Sequence, residues 1–159
     1  MAPQHPHLSL GDDEPRAADR RPTPAEQDEH DLHRLGEALK ARAEDVLRRT
    51  VARTKEESGQ SRDDVVRDSF ERICTISTCA VAAWLAGGSP EAGREAGREA
   101  WRIFGGLVAH QAVPLNEVTK RCLRWRDTAS EVLRESAAQL RVSPKALAQA
   151  LGMLQLTLT

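Results

Sequence analysis

From Ala25 onward the apolar residues of this chain return every three or four positions. That is the period of a helix face, whereas a half-buried strand repeats every two residues. Leu32, Leu35, Leu39, Ala43, Val46, Leu47 and Val51 form one such stripe, with acids and bases between them. They predict a first helix running from Ala25 until Ser58-Gly59 closes it. Ser61 then suits an N-cap, and Asp64 suits the positive end of a second helix. That helix carries Val66, Phe70, Ile73, Cys74, Ser77, Val81, Trp84 and Leu85 at helical spacing. No charge occurs between Ile73 and Ala86, so the second helix is expected at the buried centre of the fold, with Gly87-Gly88 ending it.

Ser89-Pro90-Glu91 reads as a helix start: N-cap, proline in the first turn, acid near the positive end. The third helix opens with the repeat Glu91-Ala92-Gly93-Arg94-Glu95-Ala96-Gly97-Arg98-Glu99-Ala100 and continues through Phe104, Leu107 and Val108. Its period of four puts Gly93 and Gly97 on one stripe. Each glycine costs a helix interior about 0.8–1.0 kcal/mol relative to alanine, so two on one face predict a closely packed partner helix. Val113-Pro114 breaks the pattern, because the residue before proline is pushed out of the helical region. A fourth helix follows to about Arg141, with Leu115, Val118, Cys122, Trp125, Ala129, Val132 and Leu140 inside. Ser143-Pro144 starts a fifth, carrying Leu147, Ala150, Leu151, Leu154 and Leu158. It reaches Thr159 with no stop signal, so the chain reads as the front piece of a longer protein. The fold class expected is all-α: a bundle of about five helices over residues 25–159.

Residues 1–24 are different. They hold five of the eight prolines (Pro3, Pro6, Pro15, Pro22, Pro24) and no apolar period, so a disordered tail is expected. The chain's start lacks the basic-then-apolar order of a secretory signal, and no stretch reaches the roughly 18 apolar residues of a membrane span. Three cysteines, Cys74, Cys79 and Cys122, sit in helical patterns and read as reduced thiols of a cytoplasmic protein. The formal net charge of −1 provides no whole-molecule attraction to nucleic acid or anionic lipid.

Little in the chain reads as catalytic. No local motif joins Cys74, Cys79 or Cys122 to His110, and helical Cys74 and Cys79 point about 140° apart, wrong for a shared metal. His5 and His7 fall in the tail, and His30 and His33 at the solvated start of the first helix. His110, near the end of the third helix, is the one candidate cofactor ligand, for a haem iron; otherwise it is an exposed helix-end imidazole. We therefore expect no catalytic residue, no metal site and no cofactor. Lys120, Arg121, Arg124 and Arg126 form a basic patch beside Trp125 that could hold phosphate or an acidic partner. Glu117, Asp127 and Glu131 within helical reach predict instead a self-neutralised solvent face. Gly93, Gly97, Trp101, Trp125, Arg121 and Arg124 are the candidate residues of a homodimer interface.

Three groups of residues carry a family resemblance. They are Ser69-Phe70-Glu71-Arg72-Ile73, then Trp84-Leu85-Ala86-Gly87-Gly88 before a helix with Gly97 and Ala100, and finally Val113-Pro114-Leu115-Asn116-Glu117-Val118 leading to Trp125. In this order, the stretch from Ser69 to Leu140 resembles the N-terminal non-haem globin-like domains of stressosome RsbR-type proteins and PucR-type regulators. Pro114 to Arg126 is also similar to the helical region ahead of PAS, GGDEF or EAL modules in some cyclic-di-GMP proteins, although no GGDEF signature occurs here. The resemblance implies a globin-like helix arrangement and a homodimeric sensory input. It also implies an output module in the same polypeptide, such as a diguanylate cyclase or phosphodiesterase. Two other classes stay open. Val142 to Gly152 resembles a helix-turn-helix opening, which would make the chain a DNA-binding regulator, although its neutral charge opposes nucleic acid. A haem-binding globin-type sensor would use His110.

Overall fold

Three hydroxyl–proline pairs begin three helices. Thr23 accepts the Glu26 amide at 3.3 Å while the Glu26 carboxylate accepts the Thr23 amide at 2.6 Å, a complete capping box ahead of Pro24. Ser89 accepts the Ala92 amide at 3.3 Å and Ser143 accepts that of Ala146 at 3.1 Å. The computed structural model describes residues 20–58 and 64–157; the proline-rich segment up to residue 19, Gly59 with the expected Ser61 cap, and Leu158 lie outside them. Among the described residues there are six helices and no strand. They are α1 (Pro24–Ala41), α2 (Ala43–Ser58), α3 (Asp64–Leu85), α4 (Pro90–His110), α5 (Leu115–Leu140) and α6 (Pro144–Leu156). The fold is an all-α bundle. The boundary expected at residue 24 moves back, because Thr23 and Pro24 belong to the helix start.

The first predicted helix is two helices. Arg42 leaves helical geometry (φ −104°, ψ 15°), although its amide still reaches Ala38 and Leu39. Its guanidinium crosses to Glu135 on α5 at 2.6 Å and holds Asp45 on α2 at 2.6 Å. The bend lets one apolar stripe serve two sets of neighbours. α1 packs on α3, α5 and α6 through Leu35 and Leu39, while α2 packs on α5 and α3 through Val46. The stripe passes through the bend unbroken, which is why periodicity alone does not show it.

α3 touches α1, α2, α4 and α6, and buries Val66, Phe70, Ile73, Cys74, Ser77, Val81, Trp84 and Leu85 as expected. Its uncharged stretch is nevertheless not buried all round, since Thr75, Ile76, Cys79 and Ala83 face outward and Ile76 is 51% exposed. α1 and α3 approach closely at Gly36. A methyl added there would sit 2.6 Å from both the Ala82 carbonyl oxygen and the Ala86 nitrogen, so only glycine fits. The α4 stripe expected to be the packing seam divides. A methyl at Gly93 would meet Trp84 Cβ at 3.1 Å, but one at Gly97 would have no neighbour within 4 Å.

The turn into α6 is fastened to α1. Arg141 takes left-handed geometry (φ 54°), and Arg34 donates to the freed Leu140 carbonyl at 3.0 Å. Buried Asp31 accepts the Ser143 amide at 2.9 Å, a bond that holds its carboxyl below the usual range. Asp28 accepts the Ser143 hydroxyl at 2.6 Å and pairs with Lys145 at 3.2 Å. Two carboxylates of one helix thus set where another begins. Among the described residues no helix is long and apolar enough to cross a membrane.

Candidate functional site

A line of aromatic rings runs from α3 through α4 to α5. Phe70 lies 5.7 Å from Phe104, Phe104 lies 5.9 Å from Trp101, and Trp101 meets Trp125 edge-on at 5.9 Å. The two tryptophans differ in one respect. Trp125 is fully buried and donates Nε1–H to the Thr78 hydroxyl at 3.0 Å, and that hydroxyl in turn donates to the Cys74 carbonyl at 2.7 Å. Half-buried Trp101 also has a buried Nε1–H, but no protein acceptor takes it. A buried donor left unpaired costs about 1–3 kcal/mol, so such atoms are rare.

The basic patch does not lie on a solvent face. Arg121 and Arg124 are each only 7% exposed, because positions 121, 124, 125 and 128 form the inward stripe of α5. Arg121 stacks 5.5 Å over Phe70 and leaves Nε without a partner; burial pushes its pKa down, with Glu117 opposing and Arg124 adding to the effect. Arg124 pairs through Nε with Glu57 at 2.7 Å. Only Lys120 and Arg126 behave as expected, pairing with Glu117 and Asp127 on the outside. Trp125, Arg121 and Gly93 thus pack within their own chain, while half-buried Trp101 borders an apolar opening and Arg124 a polar one.

That opening is a cleft of about 340 Å³ between α4, α5 and the end of α6. Trp101, Val118, Cys122, Leu123 and Leu156 form its apolar lining, Thr119 and Thr157 add hydroxyls, and Arg94 and Arg98 add charge. Among the described residues no carboxylate belongs to the lining. Arg94 lies 5.5 Å over the Trp84 ring, and Arg98 makes a loose, exposed pair with Glu95 at 3.7 Å. Burial pushes the Cys122 thiol up to about 11 and the Cys74 thiol well up too, so neither is a thiolate at neutral pH. The lining suits binding, not nucleophilic attack.

A second groove, about 600 Å³ and strongly polar, lies between α2, α5 and Gln155. There three of the four arginines are already matched: Arg53 with Glu131 at 2.7 Å, Arg124 with Glu57, and Arg126 with Asp127, while Arg134 has no ion pair among the described residues. His110 ends α4 exposed to solvent and does not line the α4–α5 cleft, so a haem held there would lack it as a ligand. Among the described residues no group of three or more His, Cys, Asp or Glu side chains could hold a metal ion. The outward face of α6 carries Lys145, Ala148, Gln149, Gly152 and Gln155, and its one cation is tied to Asp28. Such a face has little to offer a phosphate backbone.

Sequence periodicity does not identify the cleft. Val118, Cys122 and Leu123 lie on the shoulder of the α5 stripe, and Leu123 stays 39% exposed. An apolar residue just off the buried face is the one available signal, and it is weak because single exposed leucines are common. Compared with family models, with curated proteins and with solved structures, the chain matches none.

Proposed function

We propose that this chain is the sensory and dimerisation input of a bacterial cytoplasmic signalling protein, homodimeric and controlling an output module of cyclic-di-GMP turnover. One observation carries the reading: the α4–α5 cleft is walled on one side by Leu156 and Thr157, the end of α6. Occupancy of the cleft therefore bears directly on the last turn of α6, and a change carried by the end of one helix is what an input domain needs. The resemblance over Ser69 to Leu140 points the same way. Among the described residues the cleft holds no carboxylate and no thiolate, which also favours a binding role over a catalytic one.

The test joins the chain after Thr157 to a diguanylate cyclase catalytic domain that is active only when paired. Light scattering should give a dimer mass for the chain alone, and the fusion should make cyclic-di-GMP. Filling the cleft with Leu123→Trp should change that output while the dimer mass stays constant. A chain that is monomeric at high concentration, or a fusion indifferent to the cleft variant, would sink the proposal.

A further inference from the structure

The α4–α5 cleft combines features that specify a ligand class. Its lining is largely apolar, and among the described residues its only charges are two guanidiniums with no carboxylate competing for them. The nearest competitor, Glu95, reaches Arg98 only at 3.7 Å with both side chains more than two-thirds exposed, so a desolvated anion would displace it. Arg94 is held over Trp84, which fixes its head near the rim without neutralising it. Trp101 lines the same cleft with its ring, while its Nε1–H is itself buried and finds no acceptor among the described residues. The cleft thus brings positive charge and apolar wall together, with hydroxyls but no described carboxylate to match the charge.

We propose that this cleft binds a small organic carboxylate, with its apolar body against Trp101, Val118, Leu123 and Leu156 and its charged end at Arg94 and Arg98. The inference rests on the sensory reading and deepens it by naming what the cleft takes. A neutral apolar molecule would leave the guanidiniums unused, and an inorganic phosphate would leave the apolar walls wet. A cation is repelled by both arginines.

The test is isothermal titration calorimetry of the full chain with three probes that share one body: 4-phenylbutyrate, 4-phenylbutan-1-ol and 4-phenylbutylammonium. The carboxylate should bind about tenfold or more tightly than the alcohol, and the ammonium should bind weakest. The double variant Arg94→Gln/Arg98→Gln should lose the preference for the carboxylate while keeping its circular dichroism and melting temperature. Leu123→Trp, at a partly exposed position that accepts a larger side chain, should abolish binding of the carboxylate and the alcohol alike. Equal affinity for carboxylate and alcohol would overturn the assignment of charge. So would a preference that survives the double variant. Absence of heat from all three probes at millimolar concentration would overturn the site itself. The dimer mass and the output of the cyclase fusion are separate readings, so a failure here is distinguishable from a failure of the sensory role.

Discussion

The α1–α3 crossing and the α4–α5 gap are built on opposite principles. At Gly36 two backbones meet with no room for a methyl group, and α1 continues from there to hold the α5–α6 turn with Asp28, Asp31 and Arg34. Between α4 and α5 the helices are held apart by side chains, chiefly Trp101 against Trp125, with Arg121 inserted over Phe70. Close packing satisfies nearly every group at the first contact. The second leaves Trp101 Nε1 and Arg121 Nε unpaired, and the cleft opens beside it. Of these two residues Trp101 lines the cleft, so one unsatisfied group and unfilled space occur together there.

Substituting glycines probes this contrast most sharply. Gly36→Ala should destabilise the protein by about 3 kcal/mol in urea unfolding, since the clash is with backbone on α3 that cannot turn aside. A loss below about 0.5 kcal/mol would mean that α1 and α3 are not locked. Gly97→Ala should do the reverse and stabilise by about 0.8–1.0 kcal/mol, because the new methyl meets nothing and helix propensity alone decides. Gly93→Ala should fall between the two, as Trp84 Cβ at 3.1 Å must yield slightly. If Gly97→Ala is instead the costly variant, that glycine faces a second protein copy, and the seam lies between chains.

Hydrogen exchange supplies a reading without mutation. Amides in the middle of α3 should open only with global unfolding, whereas those of α4, which is packed mainly on α3, should exchange through a smaller opening. Equal protection of α3 and α4 would erase the distinction between the halves.

The smallest expected effect is on pH. Burial alone would raise Asp45, but Arg42, Arg48 and Arg49 outweigh it and bring it to about 2. Arg49 and Arg42 likewise hold Glu135 at about 2. Both values lie below the ordinary carboxylate range, so the stabilisation is complete above pH 4.5 and is lost as pH falls toward 2. The melting temperature should decline over that window, and less steeply in Glu135→Gln. An unchanged slope in the variant would show that the clamp at the α1–α2 bend adds nothing.

Much of the fold is legible in local chemistry. Ser89-Pro90 and Ser143-Pro144 mark two helix starts, Val113-Pro114 marks a break, and the apolar residues of α3 lie on the face their spacing predicts. In α5 Trp125, Ala129 and Val132 do so too, but Leu115, expected inside, is 80% exposed because the first turn of the helix runs past its neighbours. Caps and prolines act on their own backbone, so their meaning survives without knowledge of the partner. The site is far less legible. Arg121 and Arg124 resemble a solvated patch because acids lie within a helical turn, yet the α5 stripe turns them inward. Gly93 and Gly97 are identical in the repeat, and only the position of Trp84 separates them.

What the amino-acid sequence determined alone is therefore the all-helical class, most helix boundaries and the composition of the core. Each follows from interactions within four residues or from a period along one helix. The bend at Arg42, the tight crossing at Gly36 and the cleft beside Trp101 arise instead from the packing of the helices. Those depend on groups brought together from distant parts of the chain: Glu135 to Arg42, Ala82 to Gly36, and Leu156 to Trp101. A local pattern encodes which face a helix buries. It does not encode which neighbour that face will meet, or how closely.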